Sequence, residues 1–116
     1  MKKLICLSLI AFPVLGHALT WGELESEVLS VESGNPVNVQ MIRRMSDIVE
    51  AIVQFHVALQ TAGVERTLFC PASGQEMGLE EIVSMVRHQA RLEQSDAEAL
   101  IPELLINALQ REFACS

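Results

Sequence analysis

The side chains in this chain that are best suited to covalent or metal chemistry are its cysteines and histidines: Cys6, Cys70, Cys115, His17, His56 and His88. The cysteines do not stand in the C-x-x-C spacing of redox and zinc sites, and the histidines do not stand in the H-x-x-x-H spacing of zinc-binding helices. No serine lies in a G-x-S-x-G nucleophile elbow. We therefore predict no catalytic residue, no metal site and no cofactor, and a protein that is not an enzyme.

The polar residues of two predicted helices fit structural roles. His56 lies among apolar neighbours, which favours a packed or half-exposed histidine over a metal ligand. His88 follows Arg87 on the polar side of its helix and is interpreted as solvated. Glu80 and Glu81 are adjacent, so they do not project from one helical face. They are interpreted as partners of a helix N-terminal dipole rather than as a catalytic carboxylate pair.

An export signal is predicted at the N-terminus. Lys2-Lys3 supplies positive charge, Leu4 to Leu15 is a short apolar run, and Gly16-His17-Ala18 places small residues at both key positions of a cleavage site. A membrane-spanning helix needs about 20 apolar residues, which this run lacks. Residues 1–18 are therefore predicted to be a cleaved signal peptide, and residues 19–116 a single periplasmic domain.

The cysteine count changes with the predicted cleavage. Removal of the signal peptide removes Cys6 and leaves Cys70 and Cys115 in a compartment that oxidises thiols. We therefore predict one structural disulfide between them, at a separation of 45 residues. A redox pair or a zinc site is less favoured, because the spacing suits neither.

The charge of the chain argues against two classes of partner. It has 15 acidic residues and a formal charge of −7, and loss of Lys2 and Lys3 would leave six arginines and a charge of −9. Phosphate backbones and anionic lipids repel such a surface. We expect no nucleic-acid binding and no membrane binding by the mature form, and a basic protein as the electrostatic complement.

Two helices are predicted in the first half of residues 19–116. Thr20-Trp21-Gly22-Glu23 has the form of a capping box, and apolar residues at helical spacing extend the first helix to about Val31. Ser33-Gly34-Asn35-Pro36 then predicts a turn.

The second helix is long and central. It is predicted from Val39 to near Gly63, with Ile48, Val53 and Phe55 widening its buried face. That width predicts contacts on more than one side, either within a bundle or with a second copy of the chain.

Two shorter helices are predicted after an irregular loop from Arg66 to Gly78. The third helix follows the apolar residues from Leu79 to Ala90. Ser95-Asp96-Ala97-Glu98 repeats the capping-box pattern, and the fourth helix ends near Phe113. Pro102 leaves two alternatives, because it either kinks this helix or marks the start of its main part.

The predicted disulfide has a place in this arrangement. Cys70 precedes the third helix and Cys115 follows the fourth, so the bond closes a C-terminal helical hairpin. The connection around Gln94 then lies at the far tip, where loops are exposed and available to a partner. The predicted fold class is all-α, a small bundle of about four helices with one disulfide.

Four C-terminal segments together form a pattern: Leu68-Phe69-Cys70-Pro71, the apolar helix from Leu79 to Val86, the helix from Ala99 to Leu109, and the end Phe113-Ala114-Cys115. This pattern resembles the Rap1a/Tai family of immunity proteins. The resemblance implies a small all-helical periplasmic protein that protects its producer from a peptidoglycan-cleaving amidase effector of a type VI secretion system.

The resemblance also implies a mode of binding. Family members commonly act as dimers that occlude the catalytic cleft of the effector, so a homodimer is a further expectation. We predict that the cleft is entered by the loop Ala72 to Gly78, through Ser73, Gln75 and Glu76, or by the tip near Gln94. Acidic residues on the rim would steer association with a basic toxin.

The main alternative is a periplasmic acid-stress chaperone or another small envelope-binding protein. Acid-stress chaperones of this kind gain strong positive charge when they are acidified. Residues 19–116 contain six arginines, two histidines and no lysine, so acid-driven unfolding is expected to be weaker here. The resemblance, together with this composition, therefore favours the immunity function.

Overall fold

The computed structural model describes residues 18–63, 68–70 and 77–115, which contain four α-helices: α1 (Trp21–Glu32), α2 (Val39–Thr61), α3 (Leu79–Leu92) and α4 (Ile101–Glu112). These residues contain no β-strand, so the predicted all-α fold class is confirmed. Residues 1–17 of the predicted signal peptide lie outside the described part. None of the described helices combines the length and apolar character needed to cross a membrane.

The first two helices begin at side-chain caps. The Thr20 hydroxyl accepts a hydrogen bond from the backbone N–H of Glu23, and the Glu23 carboxylate accepts one from the backbone N–H of Thr20, which completes the predicted capping box. The predicted turn follows α1, where Gly34 has a φ of +98° that residues with a Cβ rarely adopt. The Asn38 side chain caps α2.

The helices α3 and α4 form the predicted hairpin, and a disulfide joins its two ends. Cys70 and Cys115 are bonded, with their Cα atoms 5.0 Å apart. The backbone N–H of Cys70 donates to the carbonyl oxygen of Phe113 at 2.7 Å. Farther along the hairpin, Arg111 Nε donates to Oε1 of the buried Gln89 at 2.8 Å. The hairpin is therefore held covalently at its open end and by a polar contact between its helices.

The fourth helix begins later than the capping-box pattern at residues 95–98 predicts. Asp96 Oδ1 instead accepts a hydrogen bond from the backbone N–H two residues on, at 2.9 Å, which makes a turn. The helix α4 begins at Ile101 with Pro102 in its first turn, where the missing N–H costs no helical hydrogen bond. Of the two alternatives for Pro102, the structure has the one in which it starts the helix.

The reason for this late start is a tertiary contact. The carbonyl oxygen of Ala97 accepts from the N–H of Gly22 at 3.0 Å, and that of Ala99 accepts from the N–H of Trp21 at 2.7 Å. In a helix continuing from Ser95, these carbonyls would accept from residues 101 and 103. The N–H of Ile101 donates instead to the carbonyl oxygen of Leu19 at 2.9 Å.

The hydrophobic core is centred on α4, whose buried residues are Ile101, Leu104, Leu105, Ala108 and Leu109. Met45 and Ile52 of α2 and Ile82 and Val86 of α3 belong to the same buried cluster. Residues before α1 also contribute, since Leu19 is only 2% exposed. The hairpin therefore supplies most of the surface on which the first half of the chain packs.

The buried face of α2 is narrower than predicted. Its buried residues are Met45, Ile52 and His56, whereas Val53 and Phe55 are 48% and 56% exposed. The prediction that Val53 and Phe55 widen the buried face is therefore wrong. Because successive helical residues are rotated by about 100°, these two side chains lie on opposite flanks of the buried stripe.

The helix α1 closely approaches the segment before α4 at Gly22. A Cβ added at Gly22 would lie 2.8 Å from the Cβ of Ala97, which has no room to move because the two backbones are hydrogen-bonded. Replacement of Gly22 by Ala is therefore expected to lower the free energy of unfolding by about 1–3 kcal/mol, even though Ala favours helices by up to about 1 kcal/mol over Gly.

Urea unfolding measures this change. Ser26→Ala, at an exposed position of the same helix, is the control and is expected to change stability by less than about 0.5 kcal/mol. A Gly22→Ala variant as stable as the wild type would contradict the close approach.

Candidate docking surface

Of the predicted contact residues, the structure describes Gln94. It follows α3, is exposed, and has a φ of +52°, a conformation uncommon for residues other than glycine. It lies in the connection between the hairpin helices, at the end away from the disulfide. Ser73, Gln75 and Glu76 lie outside the described residues. The structure therefore places one of the two predicted contact regions.

A surface groove that was not predicted runs between α1, the start of α2 and the start of α3. Its volume is about 480 Å³, and we call it the α1–α3 groove. Its apolar lining residues are Leu24, Val28, Val31, Val37, Met41, Ile42, Met45, Leu79 and Val83. Leu24 and Met45 are buried beneath it, whereas Val37 and Ile42 remain 48% and 37% exposed.

The walls of the α1–α3 groove are held by two glutamates near the end of α1. Glu27 Oε2 accepts a hydrogen bond from the backbone N–H of Asn38 at 2.7 Å, which joins α1 to the first turn of α2. Glu32 Oε2 lies 3.2 Å from Arg87 Nη1, which joins α1 to α3. Both contacts join elements that border the groove.

The charged residues that line the groove are all acidic. Glu27, Glu32 and Glu80 line it, and no lysine or arginine is among the described lining residues. Glu80 is exposed in the first turn of α3, where the helix dipole favours its charge. The groove therefore combines an apolar surface with a negative rim.

A further ion pair joins α1 and α2 outside the groove. Arg44 Nη1 lies 2.8 Å from Glu23 Oε2. This hydrogen bond from Arg44 lowers the pKa of Glu23 below its ordinary value, against a smaller opposing effect of desolvation. Glu23 therefore stays charged to a lower pH than an unpaired glutamate.

The groove was not predicted from the sequence, because its residues belong to the same helical faces as core residues. Val31 and Ile42 continue the apolar stripes that contain Leu24 and Met45, and periodicity does not separate covered from uncovered positions. One feature of the sequence could have indicated the groove. Apolar residues flank the turn after α1, and one of them, Val37, lies between α1 and α2 and belongs to the buried face of neither helix.

His56 and His88 differ in burial. His56 is 6% exposed, its ring stacks on that of Phe69 with centroids 4.4 Å apart, and its Nδ1 has no hydrogen-bond partner. His88 is exposed. Within the described ranges, no three histidine, cysteine or acidic side chains lie close enough together to hold a metal ion.

The α1–α3 groove can bury the apolar surface of a partner and attract its positive charge.

Comparison with known proteins found no relative of this chain, since no family model, curated protein or solved structure matches it.

Proposed function

We propose that this chain is a periplasmic immunity protein that binds a peptidoglycan-cleaving amidase effector of a type VI secretion system and occludes its catalytic cleft. The class of partner comes from the resemblance of the segments between Leu68 and Cys115 to the Rap1a/Tai family. Location in the periplasm comes from the signal-like residues 1–18, and would place the protein where such an effector acts.

The observation that carries the proposal is the spatial unity of the resembling segments. The disulfide and the hydrogen bond from Cys70 to Phe113 bring the first and last segments together, and Phe69 is buried beside them. Of the two helical segments between them, the first lies within α3, and the second lies in α4 except for Ala99 and Leu100, which precede it. Segments of a motif that lie together in one disulfide-closed hairpin support a resemblance more strongly than segments scattered over a fold.

The charge of the chain supports a basic protein partner. Residues 19–116 carry 15 acidic residues against six arginines. A surface of this kind attracts a cationic partner over a distance of several ångströms and raises the rate of association. The exposed Val53 and Phe55 on α2 are additional apolar sites for the homodimer that the resemblance implies.

Inhibition of an amidase tests the proposed function. The protein, recovered in oxidised form from the periplasm, is mixed with candidate periplasmic amidases, and peptidoglycan hydrolysis is measured together with complex formation. We expect one amidase to bind tightly and to lose its activity at stoichiometric amounts of inhibitor. Glu76→Lys and Gln94→Lys variants then test which of the two predicted contact regions enters the cleft.

Two results would contradict the proposal. One is that no amidase binds or is inhibited. The other is that the protein binds no toxin but suppresses aggregation of an acidified periplasmic extract, in which case the chaperone alternative takes its place. A matched extract held at neutral pH is the control for the second result.

A further inference from the structure

We propose that the α1–α3 groove is the docking site for an amphipathic helical segment of a protein partner, whose aliphatic face is flanked by lysine or arginine. The inference rests on the proposed function in one respect, because the amidase is taken to be the protein that carries this segment. The chemistry of the segment is argued from the groove alone.

The groove leaves apolar side chains uncovered. Val31, Val37 and Ile42 are 37%, 48% and 37% exposed although they adjoin the buried Leu24 and Met45. Covering them with apolar side chains of a partner is favourable, because water is released from both surfaces. An occupant of the groove must therefore present apolar side chains.

The shape of the groove suits a helix. It is an open trough of about 480 Å³ between three helices. A helix that enters such a groove presents one apolar face, with anchor residues at i, i+3 or i+4, and i+7. The apolar lining residues offer no hydrogen-bond partners to the backbone of an occupant. A helical segment does not need them, because its backbone N–H and C=O groups pair with each other.

The rim of the groove is acidic. Glu27, Glu32 and Glu80 line the groove, and the guanidinium of Arg87 compensates only Glu32 among them. An acidic or neutral segment would desolvate these carboxylates without pairing them, which is unfavourable. A segment with lysine or arginine beside its apolar face pairs with them, so the rim selects a cationic amphipathic helix.

A second copy of this chain is a poor occupant on the same grounds. Residues 19–116 contain no lysine and only six arginines. Three of these already form ion pairs within the described part of the chain, Arg44 with Glu23, Arg87 with Glu32 and Arg111 with Glu112. The groove therefore fits a basic partner better than its own acidic surface.

Peptide binding tests the inference. The probe is a fluorescein-labelled leucine–lysine peptide of about 14 residues, roughly four helical turns, with leucines on one face. The Val31→Arg variant places a positive charge in the groove, and Val57→Arg makes the same change at an exposed valine of α2 that is not among the lining residues. We expect Val31→Arg to weaken binding by about tenfold or more, and Val57→Arg to bind as the wild type does.

The charge of the rim is tested separately with neutral variants. Glu80→Gln, which breaks no ion pair of the described residues, is expected to weaken binding about threefold at low salt, whereas Glu50→Gln, at an exposed position of α2 outside the groove, is expected to have little effect. A peptide with glutamate in place of lysine is expected to bind at least about tenfold more weakly than the cationic peptide.

Three results would overturn the inference. They are equal peptide binding by wild type and Val31→Arg, equal binding of the acidic and cationic peptides, and a wild-type dimer that Val31→Arg but not Val57→Arg converts to a monomer. The last result would identify a second copy as the occupant.

The inference and the proposed function can fail separately. If Val31→Arg still inhibits an amidase that the wild type inhibits, the inference fails and the proposed function stands. If the peptide results are as expected but no amidase is inhibited, the proposed function fails.

Discussion

Removal of the Cys70–Cys115 disulfide is expected to lower the free energy of unfolding by about 4 kcal/mol. The bond closes a loop of 45 residues that contains the whole of α3 and α4. Its main effect is to restrict the unfolded chain, and the restriction grows with the length of the loop. Since small domains are stable by only about 5–15 kcal/mol, loss of the bond is expected to remove a large part of the total.

The double variant Cys70→Ala and Cys115→Ala measures this effect by urea unfolding, in comparison with the oxidised wild type. Addition of a reductant to the wild type is expected to give a similar loss, and addition to the double variant no further loss. A loss below about 1 kcal/mol in both experiments would contradict the expectation. In that case the hydrogen bond between Cys70 and Phe113 and the packing of the hairpin would be sufficient to hold it closed.

Replacement of Leu105 by Ala is expected to lower the free energy of unfolding by about 3–5 kcal/mol. Leu105 is 1% exposed and lies on α4, where it contributes to the lining of an apolar cavity of about 50 Å³ shared with Ile52, Ile82 and Leu109. These residues come from three helices, so truncation enlarges a cavity that no single side chain can fill by changing rotamer. The cost therefore includes both lost apolar burial and the added cavity.

The matched control for Leu105→Ala is Gln110→Ala on the exposed side of the same helix. This control is expected to change stability by less than about 0.5 kcal/mol. Thermal and urea unfolding of both variants, followed by circular dichroism, separate loss of stability from loss of helix. A small effect of Leu105→Ala would show that α4 is not the centre of the core.

Features that depend on neighbouring residues were predicted from the sequence. The start of α1 follows from Thr20 and Glu23, which interact within one helical turn. The end of α1 follows from the turn at Gly34, whose backbone conformation favours glycine. The start of α3 at Leu79 and the disulfide between Cys70 and Cys115 also follow from local periodicity and from the count of cysteines.

The start of α4 depends on a segment that is distant in the sequence. Residues 95–98 have the form of a capping box, but the carbonyl oxygens of Ala97 and Ala99 accept hydrogen bonds from the backbone N–H groups of Gly22 and Trp21. These hydrogen bonds compete with the helical ones, and hydrophobic periodicity contains no information on them.

The sequence by itself determined the four helices, the turn after α1 and the disulfide, because each depends on residues within a few helical turns or on the number of cysteines. Only the tertiary structure decided which apolar residues stay uncovered. Val53 and Phe55 on α2, and Val31 and Ile42 at the α1–α3 groove, have the residue types of a core. Whether such side chains are buried depends on which distant helix packs against them, and a helix that faces no partner leaves its apolar flank to the solvent or to another protein.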